Sequence, residues 1–303
     1  MLFPKVDIEN IRYFKNVRGN PFCQKIIFKE DSTFLFLCSQ EQINLLCKKN
    51  PKQIFVDGFH KVPKDFKQLV SVFGYSELDH GAFAIFHCLL NYKTEDQYKL
   101  MFEEFKTIFK SFHPDFIFSP EVCMTDYEKG LINAINYSFP TSKDSGCFFH
   151  FLQCQIRHFQ SLKLLKKEIR KRTFQLLSLI SFLCFIEPKK IEKVYEEIKV
   201  LYQEDFKEYF TYFEQTWLYG YARELWNYYD HYRLLSSSFQ RTNNISESFH
   251  SLLLHLNNHS HQPTYGVFLT SLTYIESRQI NDFNRLEGKV LVSVKHNLIK
   301  LIF

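Results

Sequence analysis

The chain has 303 residues, is 45% hydrophobic and 17% aromatic, and carries a formal net charge of +5. That composition supplies a packed core for one or two domains, and the mild basicity permits a polyanionic partner without requiring one. The longest apolar stretch, residues 174–186, is broken by Gln175 and serines and is too short to span a membrane, so no membrane partner is expected. Eight cysteines are scattered with no Cys-x-x-Cys pair, and the N-terminus has no signal-peptide core. Both features point to a reduced, intracellular protein.

Residues 1–50 read as an irregular extension with one strand at 34–37 and a short helix at 40–49. Residues 51–92 alternate apolar runs with Gly58, Pro63, Gly74 and Gly81, which predicts strands at 54–57, 66–73 and 82–90. A helix over 94–109 follows. Thr94 can cap it, Glu95 and Asp96 suit its positive end, and Tyr98, Phe102, Phe105 and Phe109 recur at helical spacing. A fourth strand leads to Asp126, a helix presents Leu131, Ala134 and Ile135 on one side, and 142–147 reads as a fifth strand. From Phe148 to Tyr232 the pattern is helical throughout. A helix over 244–257, a turn at His261-Gln262-Pro263 and a last helix over 265–283 complete the chain. The expected fold is α/β, a mixed sheet with helices on both faces, divided as 1–50, 51–150, 151–235 and 236–303.

Three acids stand out. Asp57 ends the apolar run Ile54-Phe55-Val56, and Asp126 ends Val122-Cys123-Met124-Thr125. Glu247 lies in Asn243-Asn244-Ile245-Ser246-Glu247-Ser248-Phe249-His250. Acids remote in sequence but gathered at strand ends and on a helix can hold hard divalent cations. Each also has a plainer role. Asp57-Gly58 suits a hairpin turn, and Asp126 suits a helix N-cap. Glu247 points about 200° away from Ile245 on a helix whose apolar stripe is Ile245, Phe249, Leu252 and Leu256, as a solvated glutamate would, yet Leu254 shares its side, as on a helix covered on that side by a sheet edge.

Cys147, His150, Cys154 and His158 offer zinc-type ligands, but in a helix the outer two would stand about 16 Å apart, too far for one tetrahedral ion. A structural cysteine with a hydrogen-bonding histidine is the simpler expectation. The basic residues Lys163, Lys166, Lys167, Arg170, Lys171 and Arg172 suit either a phosphate backbone or a solvated helix face. The Tyr- and Trp-rich stretch 219–232 reads as core more readily than as a base-stacking surface.

Taken in order, these pieces resemble the transposases of Mutator-like elements (MULEs), within the DDE superfamily. The resemblance runs through Val56-Asp57-Gly58-Phe59-His60-Lys61-Val62-Pro63 and Leu89-Leu90-Asn91-Tyr92-Lys93-Thr94-Glu95. It continues through Met124-Thr125-Asp126-Tyr127-Glu128-Lys129-Gly130, Gly146-Cys147-Phe148-Phe149-His150 and Arg241-Thr242-Asn243-Asn244 with Glu247 and His250. It implies an RNase H-like core with a five-stranded mixed sheet and an all-α insertion between the second and third acids. Asp57, Asp126 and Glu247 would be a catalytic triad holding two Mg²⁺ or Mn²⁺ ions, and Cys147 with His150 a supporting motif. The basic residues and Arg241 would contact DNA. The partners implied are transposon ends, target DNA and further copies of the chain, in the nucleus. The alternative is a domesticated or remnant copy that binds DNA without cutting it.

Overall fold

The computed structural model describes residues 8–29, 32–79, 81–230, 240 and 242–302. Two compact units emerge. The first comprises Met1–Glu121, Lys129–Ser142 and Asn244–Phe303; the second comprises Val122–Glu128 and Lys143–Asn243.

The first unit is built on five antiparallel strands: β1 (Cys23–Lys29), β2 (Ser32–Leu37), β3 (Gln53–Phe59), β4 (Gln68–Ser76) and β5 (Gly81–Leu90), in the order β1-β2-β5-β4-β3. The helix α1 (Gln40–Lys49) starts from a capping box in which Ser39 and Gln42 satisfy each other's backbone N–H groups. The helix α2 (Glu95–Phe112) begins where expected, with the Gln97 N–H donating to Thr94 Oγ1. It packs beside α3 (Lys129–Ser138). Phe105 of α2 stacks on Phe86 of β5 at 4.1 Å. Phe249 of the later helix α8 (Asn244–Leu256) stacks on the next strand residue, His87, at 5.0 Å. Neighbouring strand residues face opposite ways, so α2 and α8 cover opposite faces of this sheet. The last helix, α9 (Tyr265–Ile302), packs against β5 and α1 and runs well past the expected residue 283.

The second unit pairs β6 (Val122–Thr125) in parallel with β7 (Lys143–Gly146). It adds α4 (Phe148–Ser161), α5 (Arg170–Phe182), α6 (Ile191–Phe213) and α7 (Arg223–Trp226). Its core is aromatic: Phe151, Tyr195, Phe213, Trp217 and Trp226 are all buried.

The order three strands, helix, strand, helix, strand, helices is as read from sequence. The strand count is corrected: the described residues form seven strands of mixed direction, not five. Of the two beyond those five, β2 contains the strand read at 34–37 in the N-terminal extension, and β1 was not anticipated. Ile26, Ile27 and Phe28 of β1 pair with Leu35, Phe34 and Thr33 of β2, and β2 in turn pairs with β5. The polar start Cys23-Gln24-Lys25 masks the strand pattern of β1, and cross-strand pairing overrides it.

Candidate functional site

Asp57 sits inside β3, not at a turn. Its strand continues to Phe59, and Asp57 lies opposite Ser71 of β4, so the hairpin expectation for Asp57-Gly58 does not hold. The Gly58 N–H donates to Asp57 Oδ1 at 2.8 Å, and the side chain is only 6% exposed as a residue. Ser71 lies opposite His87 of β5, and Ser71 Oγ stands 2.8 Å from His87 Nδ1. Residues directly opposite across strands share a face. Asp57, Ser71 and His87 therefore form one buried polar row across three strands. Burial pushes the His87 imidazole down to about 3, with His250 adding to the shift, so it is neutral near pH 7.

The helix α8 lies over this row. Phe249 stacks on His87 and meets the edge of Phe73 at 5.1 Å. His250 stacks on Phe59 at 5.0 Å, and its Nδ1 stands 3.9 Å from Asp57 Oδ2. Glu247 is one turn before His250 on the same side of the helix. The buried residues of α8 are Ser246, Phe249 and Leu253, so the inward face is turned from the expected Ile245–Leu256 stripe toward Glu247. Glu247 is half-buried and its Oε1 is shielded from solvent, which departs from the solvated-glutamate expectation. The small Ser246 lets the helix approach the sheet, which the apolar stripe alone does not reveal.

Asp126 stands just past β6 in the second unit. Its Oδ1 accepts the Glu128 N–H at 3.1 Å, a local turn that precedes α3 at Lys129. The next residue, Tyr127, is wedged against Trp217 (4.7 Å) and Tyr221 (5.4 Å), and the Tyr221 hydroxyl donates to the Tyr127 carbonyl at 2.8 Å. Gly146 makes this possible: a Cβ there would lie 2.5 Å from the Tyr127 ring. The aromatic stretch after 219 is thus mainly core, as Trp226 and Tyr228 are fully buried.

Cys147 caps α4 and is fully buried. Its N–H donates to the Thr125 carbonyl at 2.9 Å, and its Sγ accepts the Asn243 N–H at 3.2 Å. It thereby ties the end of β6 to the residue just before α8. His150 follows in the first turn of α4 with Nδ1 buried. Burial raises the Cys154 thiol, with Arg157 opposing and Asp126 adding to the shift. His158 stacks on Tyr212 at 3.7 Å.

Lys163, Lys166, Lys167, Arg170, Lys171 and Arg172 are all exposed. They do not share one helix face: the first three lie in the bend between α4 and α5, where Lys163 is left-handed at φ 58°. Arg172 is held by Asp205 at 3.0 Å. Arg241 lies outside the described residues.

For a divalent cation the donor types suit: the carboxylates are hard oxygen ligands, and Asp57 and the Glu247-bearing helix are brought together in one unit. Among the described residues no group of three or more His, Cys, Asp or Glu side chains is arranged to hold a metal ion. Sequence reasoning missed Ser71 and His87. Their signal was a polar residue interrupting each of the apolar runs 69–73 and 82–90.

Residues 53–154, about a third of the chain, match the family model of the MULE transposase domain. The resemblance to Mutator-like element transposases therefore holds across β3 through the first turns of α4, including Asp57, Asp126, Cys147 and His150. No curated protein matches the chain.

Proposed function

We propose that this protein is a DDE transposase that cleaves DNA and transfers the freed strand to a target in a divalent-metal-dependent reaction, on an RNase H-like core. The observation that carries this reading is the laying of α8 over Asp57 within a chain that holds a MULE transposase domain. Asp57, Asp126 and Glu247 would hold Mg²⁺ or Mn²⁺, two ions. Such ions activate the attacking oxygen and stabilise the leaving oxygen of a phosphodiester.

The chain's own contribution is placement. The Asp57–Ser71–His87 row fixes the first acid on a rigid sheet, and Phe249 against His87 fixes the helix that bears Glu247. His87 stays neutral and so adds no positive charge beside Asp57. The wedge of Tyr127 in its aromatic pocket holds Asp126 at the end of its strand. Cys147 anchors the chain as it enters α8. On this reading the partners are DNA, as transposon ends and target, and further copies of the chain, and the site of action is the nucleus. Among the described residues no helix is long and apolar enough to cross a membrane.

The test is nicking of supercoiled DNA by the purified protein with Mg²⁺ or Mn²⁺ and with EDTA. Metal-dependent nicking that is lost in Asp57→Ala and Asp126→Ala supports the reading. Full nicking by either variant overturns it.

A further inference from the structure

The connection between β3 and β4, residues 60–67, carries Lys61, Lys64 and Lys67 against a single acid, Asp65. That acid is engaged: the Tyr265 hydroxyl donates to Asp65 Oδ2 at 2.7 Å. Elsewhere in the same unit Lys25, Lys49, Lys52, Lys99 and Lys106 each meet a carboxylate within 3.1 Å. Among the described residues Lys61, Lys64 and Lys67 meet none. Lys64 and Lys67 are exposed and Lys61 is half-buried. The exposed Lys93, just past β5, reaches the same loop: its Nζ stands 3.0 Å from His60 Nε2, and His60 Nδ1 stands 3.4 Å from the Lys67 carbonyl.

The loop is held in one shape. Val62, Pro63 and Phe66 are buried, the Phe66 N–H donates to the Pro63 carbonyl at 3.0 Å, and the Lys67 N–H donates to the Leu90 carbonyl at 2.8 Å. Phe66 also meets the edge of Tyr265 at 6.3 Å. A fixed backbone thus gathers like charges without an internal counter-charge, and a bound anion relieves their repulsion. Position selects the anion. His60 follows Asp57 by three residues of extended chain, about 10 Å. Phosphates of one DNA strand advance about 3.4 Å each along the helix axis, so a strand whose bond lies at Asp57 carries its phosphates to this loop within about three nucleotides.

We propose that Lys61, Lys64 and Lys67, with Lys93 beside them, bind the phosphate backbone of DNA next to the bond that the acids act on. The inference rests on the reading above for its ligand, and it adds a binding surface that needs neither metal nor cleavage. Fluorescence anisotropy of a labelled, random-sequence duplex in EDTA tests it, because binding is then read without cutting. Lys61→Gln, Lys64→Gln and Lys67→Gln together should weaken binding by about tenfold or more at low salt, and should flatten the salt dependence of log K by about 0.9 per lysine. The three arginine replacements should keep both affinity and slope. Lys52→Gln, exposed but paired with Glu121, should change neither. All variants should melt like the wild type. Unchanged affinity and slope in the glutamine variant overturn the proposal and leave the cutting reading standing. An equal loss in the arginine variant or in Lys52→Gln overturns it as well. Lysine-dependent binding by a protein that never nicks would uphold the surface and fail only the cutting reading. A wild type that binds no DNA overturns both.

Discussion

Asp57 and Asp126 both follow apolar strand runs, yet their surroundings are built by different means. Asp57 is held by distant chain segments: Ser71 and His87 lie on other strands, and His250 arrives from a helix nearly two hundred residues later. Asp126 is held by its own short turn to Glu128 and by the half-buried Tyr127 beside it, which Trp217 and Tyr221 grip from far along the chain. Strand pairing fixes one acid; a short turn backed by an aromatic pocket fixes the other. Substitutions around the two should therefore fail in different ways.

The largest effect is expected at the acids themselves. Asp57→Asn and Asp126→Asn should each cut metal-dependent nicking by at least about 100-fold, since even the partners of metal ligands cost up to that much. Both variants should keep the wild-type circular dichroism spectrum. Retained cleavage in only one would show that the two acids do not act together.

Next is the aromatic support of Asp126. Trp217→Ala removes a fully buried ring that packs on both Tyr127 and Phe151. It should cost about 3–5 kcal/mol, read as a shift in the denaturant midpoint. Gly146→Ala forces a Cβ against the Tyr127 ring and should cost about 1–3 kcal/mol, less because the ring can shift slightly. If Gly146→Ala melts like the wild type, the claimed fit of Tyr127 is wrong.

The polar row under α8 predicts an acid sensitivity. His87 takes up a proton near 6.5 when unfolded but only near 3 when folded. Between those values the unfolded chain binds the extra proton, so His87 lowers stability progressively as pH falls from about 6.5 toward 3. Urea melts of His87→Asn across that range should show a shallower pH slope than wild type. An unchanged slope would mean that His87 does not refuse its proton in the fold.

The smallest effect concerns a local signal. Thr94→Ala removes the cap of α2 and should cost about 1 kcal/mol with no loss of nicking per folded molecule.

Local chemistry was the legible part of the sequence. The start of α2 was evident from Thr94, Glu95 and Asp96, and the β6–α3 order from the apolar run before Asp126. Three further things depend on pairing between distant residues. β1 was hidden because its first residues are polar and only β2 makes it a strand. Asp57-Gly58 has the composition of a turn, but Ser71 and Val70 of β4 pair with it and keep it extended. The inward face of α8 turned toward Glu247 because the surface beneath it carries Asp57 and His87 rather than a uniformly apolar floor.

The sulfur–amide contact between Cys147 and Asn243 carries one more consequence. A thiol sealed from solvent cannot react with an alkylating reagent while that contact holds. The labelling rate at Cys147, followed by mass spectrometry, would thus act as a stopwatch for how often the segment ahead of the glutamate helix lifts away.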